Sequence, residues 1–293
     1  MQLPVHRAFV FAKLLIFLFV SKLYSCIIVV NMNEDIKIIF SDIDWTLLNH
    51  GHGKHEFDMP SIEALKEVQQ KGVKVFLCTA RPYHSVKGCG ILDLFAPDGI
   101  VCTNGAVAFV GEKIIHNASF PKEHVNQIIK VAHKHHLTLE LSNEKDRWLT
   151  KKKNKYVDAY FSVFTEIVPE IRKYKGENIS AILCMGPAKF DKQLQEELPA
   201  GVNLYRYFDY GLDINYRKIE KSEGMNEVLK YLNISKDNAM ALGDDLGDIP
   251  MFNLVKYSVC MENGKEAAKI AAKEICPNID NHGVAIVLEK YFK

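Results

Sequence analysis

Short apolar runs and amphipathic stretches alternate along the chain after Met32, and this alternation predicts strands and helices in turn. Ile62, Leu65 and Val68 fall on one face of a predicted helix that ends at Gly72. The runs that predict buried strands around this helix are IKIIF (36–40), VKVFLC (73–78) and GIVCT (99–103). An order of strand, helix and strand is typical of a parallel sheet covered by helices. We therefore predict a doubly wound, Rossmann-like α/β core.

The same alternation returns near the C-terminus, whereas the middle of the chain follows a different pattern. The predicted C-terminal elements are a helix over 222–233, a strand over 239–243 and a helix over 264–275. The middle opens with a hairpin around Gly111 and continues as a mixed series of strands and helices. We therefore predict that residues 32–107 and 213–293 form the core and that residues 108–212 form an inserted α+β domain.

Composition and charge are those of an ordinary globular protein. Hydrophobic residues make up 48% of the 293 positions and the formal net charge is +1, so nothing favours a nucleic-acid partner. The seven cysteines include no C-x-x-C pair, which favours reduced thiols in a cytoplasmic protein. The sequence leaves open whether the protein is a monomer or a dimer.

The first 31 residues differ from the rest because they are strongly apolar. Lys13 and Lys22 interrupt the segment, so it contains no uninterrupted window of about 20 apolar residues of the kind that spans a membrane. Three interpretations stay open: a non-functional upstream extension, a membrane anchor through residues 8–30, and a cleaved signal. Membrane contact is expected only if this extension belongs to the functional protein.

Two acids end the first predicted strand. Asp42 and Asp44 are two residues apart, so an extended backbone directs both side chains to the same side. Neighbouring carboxylates repel each other when both are charged. A cation, a phosphate chemistry or both would make this arrangement tolerable.

Other polar residues follow the later strands, where an open parallel sheet binds its ligands. They are Thr79 in TARP, the segment TNGA (103–106), and Asp244, Asp245 and Asp248 in GDDLGD. Lys221 begins the helix before the last of these strands. Carboxylates for a hard divalent cation, a hydroxyl donor and a lysine are the groups that phosphoryl transfer needs.

Four segments in this order resemble the four motifs of the haloacid dehalogenase superfamily of phosphohydrolases. The segments are DIDWTLL, TARP, Lys221 in EKSEG, and GDDLGD. The inserted domain, TNGA and the C-terminal tail are similar to the Cof-type branch, whose α+β cap domain (class IIB) lies over the active site. The resemblance extends from Met32 to Lys293 and implies an enzyme that acts on phosphate esters.

The resemblance implies a role for each acid of the first motif. Asp42 would be the nucleophile that forms an aspartyl-phosphate, and Asp44 would be the general acid and base. Magnesium would be held by Asp42, by the backbone carbonyl of Asp44 and by Asp244.

The resemblance also implies roles for the remaining motif residues. Thr79 and Lys221 would hold the phosphoryl oxygens. Asp248 would position Lys221 or a metal-bound water, and Asp245 would lie in the shell around the metal ligands.

Four further residues carry expectations of their own. Arg81 is expected either to touch the substrate or to pair with a carboxylate of the core. The resemblance implies that Asn263 lies near the active site, as a second candidate for substrate binding, and a helix N-cap accounts for it equally well. Trp45 stands where the family usually has glycine, and Gly247 stands where the branch commonly has asparagine. These two departures point to an altered substrate preference.

The predicted function is magnesium-dependent hydrolysis of a small phosphorylated metabolite, with sugar phosphates as the first choice. A phosphomutase and a non-catalytic phosphometabolite-binding protein are the alternatives. His50, His52 and His55 follow the first motif and are compatible with a second metal site or with a solvated loop that contacts substrate.

Overall fold

Two β-sheets organise the protein, one built from both ends of the chain and one from its middle. The computed structural model describes residues 35–51, 55–151, 154–163, 168–216 and 219–293. The predicted N-terminal extension lies outside these residues, as does His52. In the part of the chain that is described, no helix combines the length and the apolar character needed to cross a membrane.

The strands, numbered in chain order, fall into two sheets and one short hairpin. They are β1 (Ile38–Ser41), β2 (Leu48–Asn49), β3 (Glu56–Phe57), β4 (Lys74–Cys78), β5 (Gly99–Cys102), β6 (Val107–Val110), β7 (Lys113–Asn117), β8 (Thr138–Ser142), β9 (Arg147–Leu149), β10 (Ala181–Met185), β11 (Val202–Phe208), β12 (Gly211–Tyr216), β13 (Ala239–Gly243), β14 (Tyr257–Met261) and β15 (Glu274–Cys276).

The α-helices connect these strands. They are α1 (Met59–Gln70), α2 (Tyr83–Gly88), α3 (Ile91–Leu94), α4 (Lys122–Lys134), α5 (Lys155–Val163), α6 (Asp191–Glu197), α7 (Lys221–Leu232), α8 (Ile249–Leu254), α9 (Glu266–Ala271) and α10 (Gly283–Phe292).

The larger sheet forms the core domain and has the order β15-β14-β13-β1-β4-β5-β6-β7. Its first six strands are parallel and β1 lies between β13 and β4. Every residue of β1 is buried, because helices cover both faces of the sheet. Ile39 packs into a cluster with α1 and α10, while Ile38 and Phe40 pack with α7, α8 and α9 on the opposite face. The predicted doubly wound α/β fold is confirmed.

The hairpin around Gly111 belongs to the core sheet, which differs from the predicted start of the insertion at residue 108. β6 pairs antiparallel with β5, and β7 pairs with β6 at the edge of the sheet. Sequence alternation identified the hairpin correctly. It could not show which sheet the hairpin joins. The hairpin pairs with β5 through backbone groups, and these are the same in every residue type, so the sequence pattern does not reveal the partner.

The predicted helix over 264–275 is shorter than expected. α9 ends at Ala271, and Glu274 begins the edge strand β15, which pairs with β14. The apolar residues at the end of this segment fit either a helix or a short strand by spacing alone. The segment forms a strand because β14 offers it an unpaired edge of the sheet.

The smaller sheet forms the cap domain and has the antiparallel order β11-β12-β10-β8-β9. Leu139, Trp148 and Ile214 belong to the cluster that packs one face against α4 and α6. The opposite face carries Glu140 and Asp213, which align with Leu183 across the strands. Burial raises the pKa of Asp213 to about 7.

One glycine allows the core to approach the start of α7 closely. Gly105 has φ +97°, and a Cβ placed there would collide with the carbonyl oxygen of Glu220. Glu220 immediately precedes Lys221, the first residue of α7. The loop after β5 therefore fixes where Lys221 begins its helix, and only a residue without a side chain fits.

Replacement of Gly105 should destabilise the protein more than replacement of a glycine with equal backbone strain. Gly72 has φ +90° but open space around its Cβ position. We expect Gly72→Ala to lower the free energy of unfolding by about 1–2 kcal/mol through the strained φ alone. Gly105→Ala should lose about 1–3 kcal/mol more because of the collision with Glu220. Urea unfolding of both variants measures the difference, and equal losses would contradict the close approach.

Asp213 should make stability depend on pH. Its pKa is raised from 3.8 in the unfolded chain to about 7 in the folded protein, so the folded state binds the proton more tightly. Stability should therefore fall as the pH rises from about 4 to 7 and then level off. Asp213→Asn should remove this fall and stabilise the protein at pH 8 on the order of 2 kcal/mol.

The matched control for Asp213 is Asp209→Asn. Asp209 is an exposed residue in the turn between β11 and β12. Thermal unfolding of the three proteins between pH 4 and pH 8 makes the comparison. The same pH slope in wild type and Asp213→Asn would show that another group causes the dependence.

Candidate active site

The carboxyl ends of two adjacent strands bring the first and last predicted motifs together. β1 and β13 are parallel, with Ser41 opposite Leu242. The backbone N–H of Asp42 donates to the carbonyl of Leu242 at 2.9 Å. Asp42 therefore begins its loop beside the loop that contains Asp244, although the two residues are about 200 positions apart in the chain.

Three buried carboxylates form one cluster at this edge. Asp42, Asp244 and Asp248 each offer an oxygen atom, and these atoms lie within 4.8 Å of one another. Thr46 donates its hydroxyl to Asp244 at 3.3 Å, which ties the two loops together from the other side. The sequence placed Asp42 and Asp244 together, and the structure adds Asp248 as an equally close member.

Lys221 is the cation inside this cluster. Its Nζ donates to Oδ1 of Asp42 and to Oδ1 of Asp248, both at 2.6 Å, and the residue is 3% exposed. Burial on its own would lower the pKa of Lys221, but the carboxylates of Asp248 and Asp42 outweigh it and hold the pKa above its usual value. Lys221 therefore stays charged and fixes one oxygen of Asp42.

Asp248 uses both of its oxygens to hold other site groups. Oδ1 accepts from Lys221, and Oδ2 accepts the backbone N–H groups of Asp244 and Asp245 at 2.8 and 2.9 Å. This arrangement agrees with its predicted role as a brace for Lys221. Asp245 is exposed, and its carboxylate caps the following turn by accepting from Leu246 N–H.

The charge of the cluster fits a divalent cation. Burial raises the pKa of Asp42 to about 7, an effect that Lys221 opposes and that Asp248 and Asp44 reinforce. Burial, followed by repulsion from Asp42 and Asp248, raises the pKa of Asp244 to about 9. Three carboxylates and one ammonium leave an excess of negative charge among hard oxygen donors, which is the environment of a bound divalent metal. Both oxygens of Asp248 already accept hydrogen bonds from Lys221 and from backbone N–H groups, so Asp42 and Asp244 are the candidate ligands.

Asp44 is in a different electrostatic environment from Asp42. Arg81 donates from Nε to Oδ2 at 2.8 Å and from Nη2 to Oδ1 at 2.7 Å, and His50 Nε2 lies 2.6 Å from Oδ1. Burial on its own would raise the pKa of Asp44, but the hydrogen bonds from Arg81 and His50 outweigh it and hold the pKa well below its usual range. Arg81 was expected either to touch the substrate or to pair with a carboxylate of the core. In the structure it pairs with the carboxylate of Asp44.

His50 is a site residue whose contact sequence reasoning missed. Its Nδ1 lies 3.1 Å from Nδ1 of His55, while its Nε2 contacts Asp44. The histidine-rich loop was visible in the sequence, but the spacing did not show which carboxylate the loop would approach. β2 and β3 pair antiparallel with Asn49 opposite Glu56, which brings His50 and His55 next to each other.

Thr79 is buried where β4 ends beside β1. Its Oγ1 accepts the backbone N–H of Arg81 at 3.1 Å, so the hydroxyl proton is available for another acceptor. Asn104 was noted in the sequence only as part of TNGA. Its side-chain amide donates to the carbonyl of Ile219 at 3.1 Å and thereby helps to hold the chain that leads to Lys221.

Asn263 has backbone partners on both sides of its amide. Nδ2 donates to the carbonyl of Trp45 at 2.9 Å, and Oδ1 accepts Ile279 N–H at 3.0 Å. This geometry braces the loop after β1, and substrate contact stays a prediction. A Cβ at Gly247 would meet nothing within 4 Å, so the loop has room for a side chain at this position.

Comparison with known proteins gives a consistent result. The family model described as haloacid dehalogenase-like hydrolase matches residues 39–288. Phosphatase YwpJ of Bacillus subtilis is 24% identical over 86% of this chain and 99% of its own. The chloroplastic endoribonuclease YBEY of Arabidopsis thaliana is 26% identical over 86% of this chain, which spans 46% of that longer protein.

One solved structure supports the fold. The subclass IIB sugar phosphatase BT4131 superposes with a TM-score of 0.70 at 23% identity, over 87% of this chain and 98% of the other.

The carboxylate cluster should bind a divalent cation. We expect Mg²⁺ to raise the thermal unfolding midpoint by about 5 °C over the value in EDTA, because it binds only the folded cluster. Asp244→Asn should lose most of this rise, since it removes a charged oxygen donor. Asp237→Asn is the control and should keep the rise, because Asp237 is exposed and lies in the turn before β13, at the opposite end of that strand from Asp244. A full rise in Asp244→Asn would contradict the assignment.

Proposed function

Because the chain belongs to the haloacid dehalogenase-like hydrolases, we propose that it is a magnesium-dependent phosphatase that hydrolyses a small phosphorylated metabolite through an aspartyl-phosphate. The observation that carries the proposal is the buried contact between Lys221 and Asp42 beside Asp244. It fixes one carboxylate oxygen of Asp42 and leaves the other to react.

In the first half of the proposed reaction, Asp42 attacks the phosphorus of the substrate. A bond forms between a carboxylate oxygen and phosphorus, and the bond from phosphorus to the leaving-group oxygen breaks. Asp44 supplies a proton to that oxygen, so the leaving group departs as an alcohol. Lys221 and the hydroxyl of Thr79 hold the phosphoryl oxygens and offset their charge.

In the second half, water attacks the phosphorus of the aspartyl-phosphate. Asp44 accepts a proton from this water, inorganic phosphate leaves, and the carboxylate of Asp42 is restored. A bound Mg²⁺ would neutralise charge on the phosphoryl group, with Asp42, Asp244 and the carbonyl of Asp44 as its protein ligands. Asp248 keeps Lys221 and the Asp244 loop in place throughout.

The proton on Asp44 requires a rearrangement. In the structure Arg81 and His50 keep this carboxylate ionised. A bound phosphoryl dianion is a competing partner for the guanidinium of Arg81. When Arg81 turns to the substrate, the pKa of Asp44 rises and the acid can be protonated, which couples substrate binding to activation.

The cap domain is proposed to choose the substrate. Sugar phosphates are the first class to test, because the subclass IIB relative of similar fold is a sugar phosphatase. The six described cysteines are all free thiols, which supports a cytoplasmic location.

The test is phosphate release from a panel of phosphorylated metabolites by wild type and by Asp42→Asn. We expect wild type to release phosphate with Mg²⁺ and not with EDTA, and Asp42→Asn to lose at least about 10³-fold in rate because it lacks the nucleophile. In Asp44→Asn, acid quenching followed by mass spectrometry should find a phosphoryl group on Asp42.

The control for this experiment is Asp237→Asn, which should keep most of the wild-type rate because Asp237 is an exposed residue in the turn before β13. Phosphate release by Asp42→Asn at the wild-type rate would contradict the mechanism. Return of the phosphoryl group to a sugar, with no net release of phosphate, would favour a phosphomutase.

A further inference from the structure

The backbone at Trp45 is in a conformation that disfavours a large side chain. Trp45 follows Asp44 directly and has φ +60°, in the left-handed region. Glycine adopts this region freely, whereas a bulky residue is strained there. Strained residues that persist next to an active site point to a use for the side chain.

The indole of Trp45 is left largely open to solvent. One side packs against the ring of His50, with centroids 5.5 Å apart, and the residue is 40% exposed. A tryptophan that served only to pack the core would be buried, as Trp148 is in the cap domain. Strain and exposure therefore occur at the same residue.

A second apolar side chain lies on the neighbouring loop. Leu246 follows Asp244 by two residues and is 55% exposed. Among the described residues, Trp45 and Leu246 are the large exposed apolar side chains within two positions of a site carboxylate. Their loops follow the adjacent parallel strands β1 and β13, so both extend from the same edge of the sheet. The charged cluster therefore has an apolar border.

The indole of Trp45 lies on the side of Asp44 from which the leaving group of the substrate would extend. In the proposed reaction Asp44 protonates the leaving-group oxygen, so the leaving group starts at this carboxylate. His50 contacts Asp44 through Nε2, and the indole packs on the same His50 ring. A planar group attached a few bonds from the scissile oxygen would reach the exposed indole face.

We propose that Trp45 is a specificity-determining residue that stacks on a planar ring carried by the leaving group. The substrate class is then a sugar or sugar-alcohol phosphate that also bears a planar heterocycle. Offset stacking of a flat ring on an indole is favourable and tolerates different ring types. This inference rests on the proposed phosphatase activity and narrows its substrate.

The test compares two substrates that differ by one ring. Adenosine 5′-monophosphate and ribose 5-phosphate share the phosphorylated sugar, and only the first carries a base. We expect wild type to prefer the nucleotide by about tenfold or more in kcat/KM, as stacking on one aromatic side chain provides. Trp45→Gly should reduce the ratio to about one, while Trp45→Phe should keep most of it.

Two features make the variants interpretable. Glycine adopts φ +60° without strain, so Trp45→Gly is compatible with the native loop. Tyr231→Ala removes another exposed aromatic residue, at the end of α7 beside Lys113, and should leave the substrate ratio unchanged. Equal loss of activity on both substrates in Trp45→Gly would overturn the proposal, because the indole would then act only by positioning His50.

A binding measurement separates this inference from the activity itself. The chain has two tryptophans, and Trp148 is fully buried. In Asp42→Asn protein, adenosine 5′-monophosphate should quench tryptophan fluorescence and ribose 5-phosphate should not. The double variant Asp42→Asn with Trp45→Phe should lose the quenching. If phosphate release fails but the quenching occurs, the proposed activity is overturned and the stacking contact of Trp45 stands, whereas absence of quenching overturns the stacking contact.

Discussion

The ammonium group of Lys221, buried between two carboxylates, is the interaction on which the site depends. It joins the first residue of α7 to the loops after β1 and β13, three elements far apart in the sequence. A buried charge is stable only when it is paired and hydrogen-bonded. The fold must therefore bring all three elements within hydrogen-bond distance. The parallel pairing of β1 and β13 brings two of them together, and the close approach of Gly105 to Glu220 places the start of α7.

The two acids of the first motif show how neighbours divide the chemistry. Asp42 and Asp44 are separated by one residue, yet burial raises the pKa of Asp42 while Arg81 and His50 hold that of Asp44 low. In the proposed mechanism one acid attacks and the other exchanges a proton, and these two tasks need different environments. Here the difference arises because burial and the neighbouring carboxylates outweigh Lys221 at Asp42, whereas the hydrogen bonds from Arg81 and His50 outweigh burial at Asp44.

The sequence predicted the parts of the site that follow the ends of strands. Residues that follow parallel strands lie at one edge of the sheet, so the amino-acid pattern put Asp42 and Asp244 at the same edge. Their direct proximity was implied only by the family resemblance, because the pattern does not show that β1 and β13 are neighbours. The contacts of His50 could not be predicted, because a glycine-containing loop has many allowed paths. The sheet that the β6–β7 hairpin joins could not be predicted either, because the alternation of apolar and polar residues in the hairpin fits both sheets. Local periodicity therefore gives the elements, and long-range backbone pairing gives their neighbours.

The loop over residues 103–106 contacts both chain segments that connect the two domains. On the incoming side, Ala118 N–H donates to the carbonyl of Ala106, and on the outgoing side Asn104 holds the carbonyl of Ile219. Both crossings are thus anchored to the core before the cap sheet begins and after it ends. A change of sequence within the cap domain therefore need not move Lys221, so this domain can diverge while the charged groups of the site keep their positions.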